Sequence, residues 1–331
     1  MKGALERRWY AREPSPFALR PFAALYGVIS RARRRRLQRA APALPVPVIV
    51  VGNISIGGTG KTPFTIWLVE QLRAWGWRPG VVSRGYGGRA PRYPFAVQAD
   101  SDAAHSGDEP LLIAQRARCP VVVAPDRVAA ARMLIDEHGV DIVVSDDGLQ
   151  HYRLARDLEI CVVDGRRGLG NGALLPAGPL REAPSRLAEV DLVIVNGGDW
   201  RCAGAVSMQL QSAALRRLVD GGTQPLSALR GRRVHAVAGI GDPSRFFASL
   251  VAASLQVEPH AYADHHRYRP QDLAFGDDAT VIMTEKDAVK CASFADARMW
   301  ALPVAAQLAP DGVERVRQCV EALREQRRAR R

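Results

Sequence analysis

Long apolar runs are missing from this sequence of 331 residues. A helix that crosses a bilayer needs about 18 or more consecutive apolar residues. The nearest stretch, residues 17–29, is interrupted by Arg20 and Pro21. A signal peptide places its basic residues before its apolar ones, whereas most of the arginines here follow the apolar stretch. We therefore expect neither a membrane-spanning helix nor a cleaved signal.

Cysteine is sparse and shows no pairing pattern. The chain has five cysteines, an odd number, and no Cys-x-x-Cys spacing. Cys161 lies within the apolar run 158–163, where it is predicted to be a small core residue. We expect no disulfide framework and no zinc site, and the composition fits a reducing cytosol.

The basic excess is concentrated at one end of the chain. The formal net charge is +12, and residues 1–45 hold eleven Lys or Arg against two Glu, so the other 286 residues carry only +3. A protein that binds nucleic acid through its folded part usually spreads its basic residues over that part. The partner of this N-terminal arm must be anionic, and both membrane lipid and nucleic acid qualify.

The arm has the pattern of an amphipathic helix. Apolar residues recur at i, i+3, i+4 and i+7 from Phe22, Pro21 suits a first helical turn, and the arginines 31 and 33–36 extend the segment. Three prolines in residues 41–47 end it. The apolar positions, which favour a lipid surface over nucleic acid, are Phe22, Leu25, Tyr26 and Ile29.

Apolar strands alternate with helical segments after the arm. Near-continuous Val and Ile runs are typical of strands buried on both faces, so we predict an α/β fold with a mostly parallel sheet flanked by helices. The predicted strands are 46–51, 80–83, 120–124, 141–145, 158–163 and 191–195. The predicted helices between them are 63–74, 110–118 and 127–137.

A smaller α/β unit is predicted to follow. Its strands are expected at 234–238, 280–284 and 300–304, and residues 199–229 are interpreted as the linker before it. The predicted division is a membrane-associating arm at 1–45, a P-loop core at 46–229 and a C-terminal substrate or lid domain at 230–331.

A glycine-rich loop joins the first strand to the first helix of the core. Phosphate binding needs backbone N–H groups that point inward at a helix N-terminus, which glycine conformations allow. In this pattern Lys61 would contact the β- and γ-phosphates and Thr62 would hold magnesium. Ser55 stands where the first glycine usually lies, and a plain glycine-rich turn is the alternative. The predicted nucleotide-binding residues are Ser55, Ile56, Gly57, Gly58, Thr59, Gly60, Lys61 and Thr62.

Two carboxylate motifs follow strands of the core. Asp146 and Asp147 come after the buried strand 141–145, where a magnesium ligand of a P-loop enzyme lies. An Asp-Gly turn is the alternative. Asp108 precedes Glu109 and Pro110, so it could be a helix cap or a carboxylate base facing the γ-phosphate.

Two further motifs carry weaker signals. Asp264, His265 and His266 lie in the C-terminal unit, where a histidine with a near-neutral pKa could be a proton partner, although a plain loop explains the pattern as well. Arg181 and Glu182 end a rigid proline-containing loop. Arginine suits bidentate phosphate contacts, and a surface ion pair is the alternative.

Taken together, these motifs resemble the tetraacyldisaccharide 4′-kinase family, the lipid A 4′-kinases of Gram-negative bacteria. The resemblance covers most of the chain, and the family shares the P-loop without its first glycine. The matching stretches are PVIVVGNISIGGTGKTP (47–63), SRGYGG (83–88), GDEP (107–110), SDDGLQH (145–151), LPAGPLRE (175–182), DHH (264–266) and TEKDAVK (284–290).

The resemblance implies transfer of the γ-phosphate of ATP, with Mg²⁺, to the 4′-hydroxyl of a tetraacyldisaccharide 1-phosphate. It implies Asp108 as the base assisted by His265, with His265 favoured over His266. The other implied catalytic residues are Lys61 and Arg181, the metal ligands Thr62, Asp146, Asp147 and Glu109, and the substrate contacts Glu182 and His151. Which of Asp146 and Asp147 binds the metal directly stays open.

The family also implies a location and a set of partners. The protein would lie on the cytoplasmic face of the inner membrane as a peripheral protein, bound to an anionic surface and acting on an acylated disaccharide lipid. No nucleic acid and no obligate protein partner are expected. The alternatives are a P-loop GTPase or metallochaperone, for which the guanine-reading Asn-Lys-x-Asp is not intact, and a membrane-bound switching ATPase.

Overall fold

Two β-sheets with helices packed on them make up residues 8–11 and 14–329, the part of the chain that this computed structural model describes. The strands are β1 (Val48–Gly52), β2 (Pro79–Ser83), β3 (Phe95–Val97), β4 (Val121–Val123), β5 (Ile142–Ser145), β6 (Leu158–Asp164), β7 (Leu192–Asn196), β8 (Val206–Ser212), β9 (Leu215–Arg217), β10 (Thr223–Gln224), β11 (Arg233–Ala238), β12 (Gln256–Ala261), β13 (Thr280–Thr284), β14 (Met299–Leu302) and β15 (Val304–Leu308).

The α-helices lie between these strands and at both ends. They are α1 (Arg20–Arg39), α2 (Lys61–Ala74), α3 (Ala103–Ser106), α4 (Asp108–Ala117), α5 (Arg127–His138), α6 (Ser244–Ala252), α7 (Glu285–Cys291) and α8 (Pro310–Ala329). Short 3₁₀ helices lie at Phe17–Leu19, Pro184–Ala188, Leu226–Leu229, Pro270–Leu273 and Ala292–Phe294.

The first sheet holds the predicted core. Its order is β15-β8-β7-β6-β1-β5-β2-β4-β3, parallel from β8 through β4 and antiparallel at the two edge pairs. Every residue of β1, β2, β5 and β6 is buried, because helices cover both faces of the sheet. The predicted mostly parallel α/β fold is confirmed.

Strand order brings the predicted site residues together. Strand β1 is central and pairs with β5, so the loop that follows β1 and the aspartates that follow β5 emerge side by side at the carboxyl edge of the sheet. Ligands of open α/β sheets bind at this edge.

The second sheet is smaller and brings two more motifs toward the same region. Its order is β10-β9-β14-β13-β11-β12, parallel from β14 through β12. Asp264, His265 and His266 follow β12, and helix α7 follows β13 directly.

The sheets exchange chain segments in a way that the sequence analysis did not anticipate. The predicted linker 199–229 contains β8, β9 and β10, and β15 returns to the first sheet although it lies beyond residue 230. Val316 and Val320 of α8 are also packed in the core of the first sheet. In strand β8, buried apolar residues alternate with exposed polar ones. The strand therefore lacks the continuous apolar run from which the other strands of this sheet are predicted. The boundary expected at 229/230 therefore does not coincide with the division between the sheets.

Helix α1 presents an apolar stripe to solvent that matches the prediction except at Tyr26, whose place Val28 takes. The exposed apolar side chains of the helix are Phe22, Leu25, Val28 and Ile29. Tyr26 instead faces the protein, where its hydroxyl donates a hydrogen bond to the Arg181 carbonyl at 3.1 Å. Gly27 lies against Leu174, with no room for a Cβ. Residues 1–7 and 12–13 of the predicted arm lie outside the described residues. Among the helices of the described ranges, none is both long and apolar enough to cross a membrane.

Candidate active site

The loop between β1 and α2 has the geometry of a phosphate cradle. Gly57 and Gly60 have φ values of 94° and 93°, a region that side chains other than glycine rarely adopt. A Cβ on Gly60 would lie 2.5 Å from Asn196 Nδ2, an amide that donates a hydrogen bond to the Thr59 carbonyl. Helix α2 begins at Lys61, so its N-terminus opens onto the loop.

The start of this loop is tied to the rest of the protein. The Ile56 amide donates to the Pro179 carbonyl at 2.9 Å, and the Ile56 carbonyl accepts from the Tyr10 hydroxyl at 2.7 Å. Ser55 is buried and forms a β-bridge with Leu180. Both backbone groups of Ile56 are therefore engaged within the protein, and Ile56 anchors the start of the loop. The nucleotide contacts expected of Ser55 and Ile56 stay predictions.

Asp147 lies next to the P-loop lysine. Asp147 Oδ1 is 3.5 Å from Lys61 Nζ and 3.6 Å from Arg181 Nη1. Burial acts to raise the pKa of Asp147, but these two cations outweigh it and hold the pKa below its ordinary value. Asp147 is therefore an ionised group between two cations.

Asp146 has a different environment. It is 1% exposed, and Oδ1 accepts a hydrogen bond from Thr65 Oγ1 at 2.9 Å. Its Oδ2 has no hydrogen-bond partner within the described ranges. Burial raises the pKa of Asp146, and the carboxylates of Glu109 and Asp147 raise it further.

This environment fits a divalent cation. A buried carboxylate oxygen without a donor, surrounded by other carboxylates, is stabilised by a hard cation that prefers oxygen ligands. Asp146 Oδ2 is the atom best prepared for that role, and Thr62 is the second residue of the neighbouring helix α2.

A carboxylate and a histidine meet at the junction of the two sheets. Asp108 Oδ2 lies 3.0 Å from His265 Nδ1, and Oδ1 lies 3.2 Å from the same nitrogen. Asp108 is 4% exposed, and Gly107, with φ 83°, occupies the N-cap position of α4. Asp108 is therefore the first residue of the helix and not its N-cap.

The two groups shift each other's pKa in opposite directions. Burial acts to raise the pKa of Asp108, but the hydrogen bond from His265 and the ammonium of Lys286 bring it below its ordinary value. The same hydrogen bond raises the pKa of His265, against the effect of burial. Both shifts favour a charged pair, a buried carboxylate held by an imidazolium.

The neighbouring histidine, His266, contacts other residues. His266 Nε2 lies 3.1 Å from Asp272 Oδ2, and its ring stacks on Tyr262 at 4.7 Å between centroids. Of the two histidines, His265 is thus the one that contacts Asp108.

A cavity of about 190 Å³ opens beside this pair. Residues of the first sheet's loops line one side and residues of the second sheet line the other. Tyr86 packs against the His265 ring at 4.9 Å between centroids. The side chains that give the cavity its chemistry are Tyr86, Asp108, His265, Arg267, Tyr268 and Lys290.

Comparison with known proteins decides the family. The family model for tetraacyldisaccharide-1-P 4′-kinase, LpxK, matches residues 16–321. The tetraacyldisaccharide 4′-kinase of Alkalilimnicola ehrlichii is 55% identical over 93% of this chain and 94% of its own length, and that of Azotobacter vinelandii is 51% identical over 91% and 92%. The crystal structure of LpxK from Aquifex aeolicus in complex with ATP superposes with a TM-score of 0.77 at 26% identity, covering 92% of this chain and 98% of that one.

This chain belongs to the tetraacyldisaccharide 4′-kinase family. It is therefore a kinase, a phosphotransferase with an alcohol group as acceptor, of lipid A biosynthesis.

Glu182 occupies an interior position in this kinase. It accepts hydrogen bonds from the Tyr152 hydroxyl and, at 2.7 Å, from Gln150 Nε2, and it pairs with Arg186. Gln150 Oε1 in turn accepts from Arg181 Nη1 at 3.3 Å. Glu182, predicted as a substrate contact, therefore holds the amide that orients Arg181.

The substrate contact expected of His151 stays a prediction, but its imidazole carries no charge. Burial and the nearby guanidinium of Arg127 lower the pKa of His151 to about 4, so it is neutral at physiological pH. A neutral imidazole offers no positive charge to an anionic substrate, which removes the simplest reason to expect His151 at a phosphate.

Two lysines of α7 are site residues that the sequence analysis did not single out. Lys286 Nζ lies 3.0 Å from Glu109 Oε1 and 3.9 Å from Asp108 Oδ2, and Lys290 Nζ lies 4.0 Å from the same Asp108 oxygen. Glu109 is therefore ion-paired as well as close to Asp146. The signal was available, because the i, i+4 spacing within TEKDAVK places both lysines on one face of a helix.

Proposed function

We propose that this kinase transfers the γ-phosphate of ATP to the 4′-hydroxyl of a tetraacyldisaccharide 1-phosphate, with Mg²⁺. Relatives that are 55% and 51% identical are named tetraacyldisaccharide 4′-kinase. The observation that carries the proposal is the buried Asp108–His265 pair beside the P-loop. A sugar hydroxyl is a very weak acid, and such a pair offers it a positioned proton acceptor.

The P-loop supplies the nucleotide contacts. Residues 57–62 bind the phosphates, and the ammonium of Lys61 follows the transferred phosphoryl group, where charge on the oxygens is stabilised in the transition state. Arg181, held by Gln150, approaches the same Asp147 oxygen as Lys61, and we propose that it contacts the same phosphates.

The acidic residues would hold Mg²⁺. Asp146 is the direct ligand, because its Oδ2 is buried and has no donor within the described ranges, and Thr62 is the second. When bound, the ion would neutralise negative charge on the phosphate oxygens. Asp147 is already paired with two cations, so it positions Lys61 and Arg181 and does not ligate the metal.

Asp108 and His265 prepare the acceptor. Asp108 accepts the proton of the 4′-hydroxyl as the new O–P bond forms and the bond to the departing ADP breaks. His265, as the imidazolium, donates to the carboxylate from the second sheet and holds it in position for the acceptor hydroxyl. Lys286 and Lys290 keep Asp108 ionised before that step.

The second sheet acts as a lid over the P-loop. The turn after β11 reaches the loop, because a Cβ on Gly241 would lie 3.9 Å from the Gly58 amide nitrogen. Arg167, beside the P-loop, forms an ion pair with Asp242 at 2.7 Å. This arrangement supports a site in which the lid carries His265 to Asp108 after nucleotide and acceptor have entered.

Helix α1 attaches the kinase to the cytoplasmic face of the inner membrane as a peripheral protein. Its exposed stripe supplies apolar contact area, and its exposed arginines face anionic head groups, each worth about 1 kcal/mol near the surface, whereas Arg34 pairs with Glu189. The hydrogen bond from Tyr26 to Arg181 fixes the helix next to the site, so a lipid substrate stays in the bilayer while its sugar enters. We propose no nucleic-acid partner and no obligate protein partner.

The proposed reaction is tested directly with purified protein, ATP, Mg²⁺ and a tetraacylated disaccharide 1-phosphate. Mass spectrometry should show one phosphate gained by the lipid, located at the 4′ position. Lys61→Ala should reduce transfer by roughly a thousandfold, because a charge that stabilises the transition state is lost. ATP hydrolysis without any phosphate on the lipid would contradict the proposed function and favour a switching ATPase.

The base is tested by a double-mutant cycle on kcat. Asp108→Ala and His265→Ala should each lower kcat by about 10²–10⁴-fold with nearly unchanged ATP affinity. If the two residues act as one unit, the double variant should be little worse than the worse single variant. His266→Ala is the matched control, because it removes the adjacent histidine and its pair with Asp272, and it should retain kcat. Fully multiplicative losses would show independent roles.

The membrane contact is tested by vesicle sedimentation. The triple variant Phe22→Ser, Leu25→Ser and Ile29→Ser should bind phosphatidylglycerol vesicles roughly tenfold or more weakly, since apolar area is lost from the stripe. ATP binding should be retained. The matched control is Val219→Ser with Val251→Ser, which removes two equally exposed apolar side chains elsewhere. Wild-type sedimentation by the triple variant would exclude α1 as the anchor.

A further inference from the structure

A second cluster of ligand-type side chains lies in the second sheet, outside the kinase site. His235 is on β11, and Glu258 and His260 are on the neighbouring edge strand β12. Residues two apart on a strand point to the same face, so Glu258 and His260 project together, and Glu258 is paired in register with His235. One ligand atom from each residue lies within 4.8 Å of the other two.

The distances approach those of a metal centre. His235 Nδ1 is 3.0 Å from His260 Nε2 and 3.7 Å from Glu258 Oε2, and His260 Nε2 is 3.9 Å from Glu258 Oε1. Two ligand atoms on one tetrahedral zinc, each about 2.0–2.1 Å from the ion, lie about 3.3 Å apart. The two glutamate distances are to different oxygens, so a rotation of the Glu258 carboxyl group together with small shifts of the two rings would bring three donors onto one ion.

An outer residue fixes the histidine in the form that a metal needs. Asp277 Oδ1 lies 3.0 Å from His235 Nε2, and it also accepts a hydrogen bond from the Ala279 amide. The carboxylate therefore holds the proton on Nε2, which leaves the lone pair of Nδ1 directed at His260. A histidine ligand whose second nitrogen donates to a carboxylate is the usual support of a protein-bound zinc.

The surroundings fix the rest of the cluster. His235 is 1% exposed, and Phe275 stacks on the His260 ring at 4.0 Å between centroids. Arg233 Nη2 donates to Glu258 Oε2 at 2.6 Å, so Oε1 is the glutamate oxygen that is available to an ion. Arg233 also pairs with Asp277, which places its charge on the outer side of the ligands.

We propose that His235, Glu258 and His260 form a zinc site that joins β12 to β11. Two imidazoles and one carboxylate suit Zn²⁺ and related transition metals, whereas Mg²⁺ prefers oxygen ligands and would stay in the kinase site. Three protein ligands leave one position for water. The expectation of no zinc site from the sequence rested on cysteine spacing, and these ligands, 25 residues apart in the chain, meet only through strand pairing.

The test is zinc binding by the full-length, nucleotide-free protein, in competition with a chromogenic chelator and with excess Mg²⁺ present. Wild type should bind one zinc more per chain than His260→Gln, and Glu258→Gln should bind that zinc roughly tenfold or more weakly. His138→Gln, which removes an exposed histidine on α5, is the matched control and should bind like wild type.

Thermal unfolding gives a second readout. Zinc should raise the Tm of wild type and of His138→Gln, because a ligand that binds only the folded state stabilises it, and should not raise the Tm of His260→Gln. Circular dichroism shows whether His260→Gln is folded. If it is not, Glu258→Gln, whose substitution lies on the exposed edge strand, replaces it in both measurements. Equal zinc binding by wild type and both cluster variants, or no zinc bound by wild type, would overturn the proposal. The contact between His235 and His260 would then be only a hydrogen bond between two imidazoles.

Discussion

The contact between Asp108 and His265 is the interaction on which the site depends, because each residue belongs to a different sheet. Asp108 begins a helix of the first sheet, and His265 follows an edge strand of the second. In the proposed mechanism the base is complete only when the two sheets are apposed, and we therefore propose that catalysis depends on their closure.

Ion pairs also cross this junction, beside the apolar contact of Val289 of α7 with the core of the first sheet. Arg245 and Asp164 lie 3.0 Å apart, and Arg167 and Asp242 lie 2.7 Å apart. Partly exposed ion pairs contribute about 0–1 kcal/mol each, so closure is favoured without being made permanent. A site that must admit a bulky lipid and release two products benefits from a junction of this strength, since opening often limits the turnover of enzymes with lids.

Two adjacent aspartates show how strongly neighbouring charges change the pKa, and hence the role, of a side chain. Asp147 lies between Lys61 and Arg181 and is ionised, whereas Asp146 is buried among carboxylates and has its pKa raised. The sequence identified the pair but left open which one binds metal. The difference depends on three-dimensional neighbours, above all Glu109 and Arg181, which are distant in the chain.

The parts that sequence reasoning predicted well are those encoded locally. A continuous apolar strand and a run of glycines predict the P-loop, and the structure has this loop between β1 and α2 as predicted. Strands β8 and β15 were missed because β8 alternates polar with apolar residues, β15 is a short run that is mostly exposed or half-buried, and the two pair only after distant segments meet. Tyr26 was assigned to the lipid face for a similar reason: periodicity shows that a helix has an apolar side, but not which of its residues another loop will cover.

The most direct measurement is the pKa of His265, obtained by NMR titration of the histidine ring signals, with His265→Gln to assign the resonance. The account predicts a pKa above about 6.5, the ordinary histidine value, because the ionised Asp108 stabilises the imidazolium. Asp108→Asn should then lower the pKa of His265, since burial and Lys286 remain and both oppose its positive charge. A pKa at or below the ordinary value in wild type, unchanged by Asp108→Asn, would show that the two residues do not form the proposed pair.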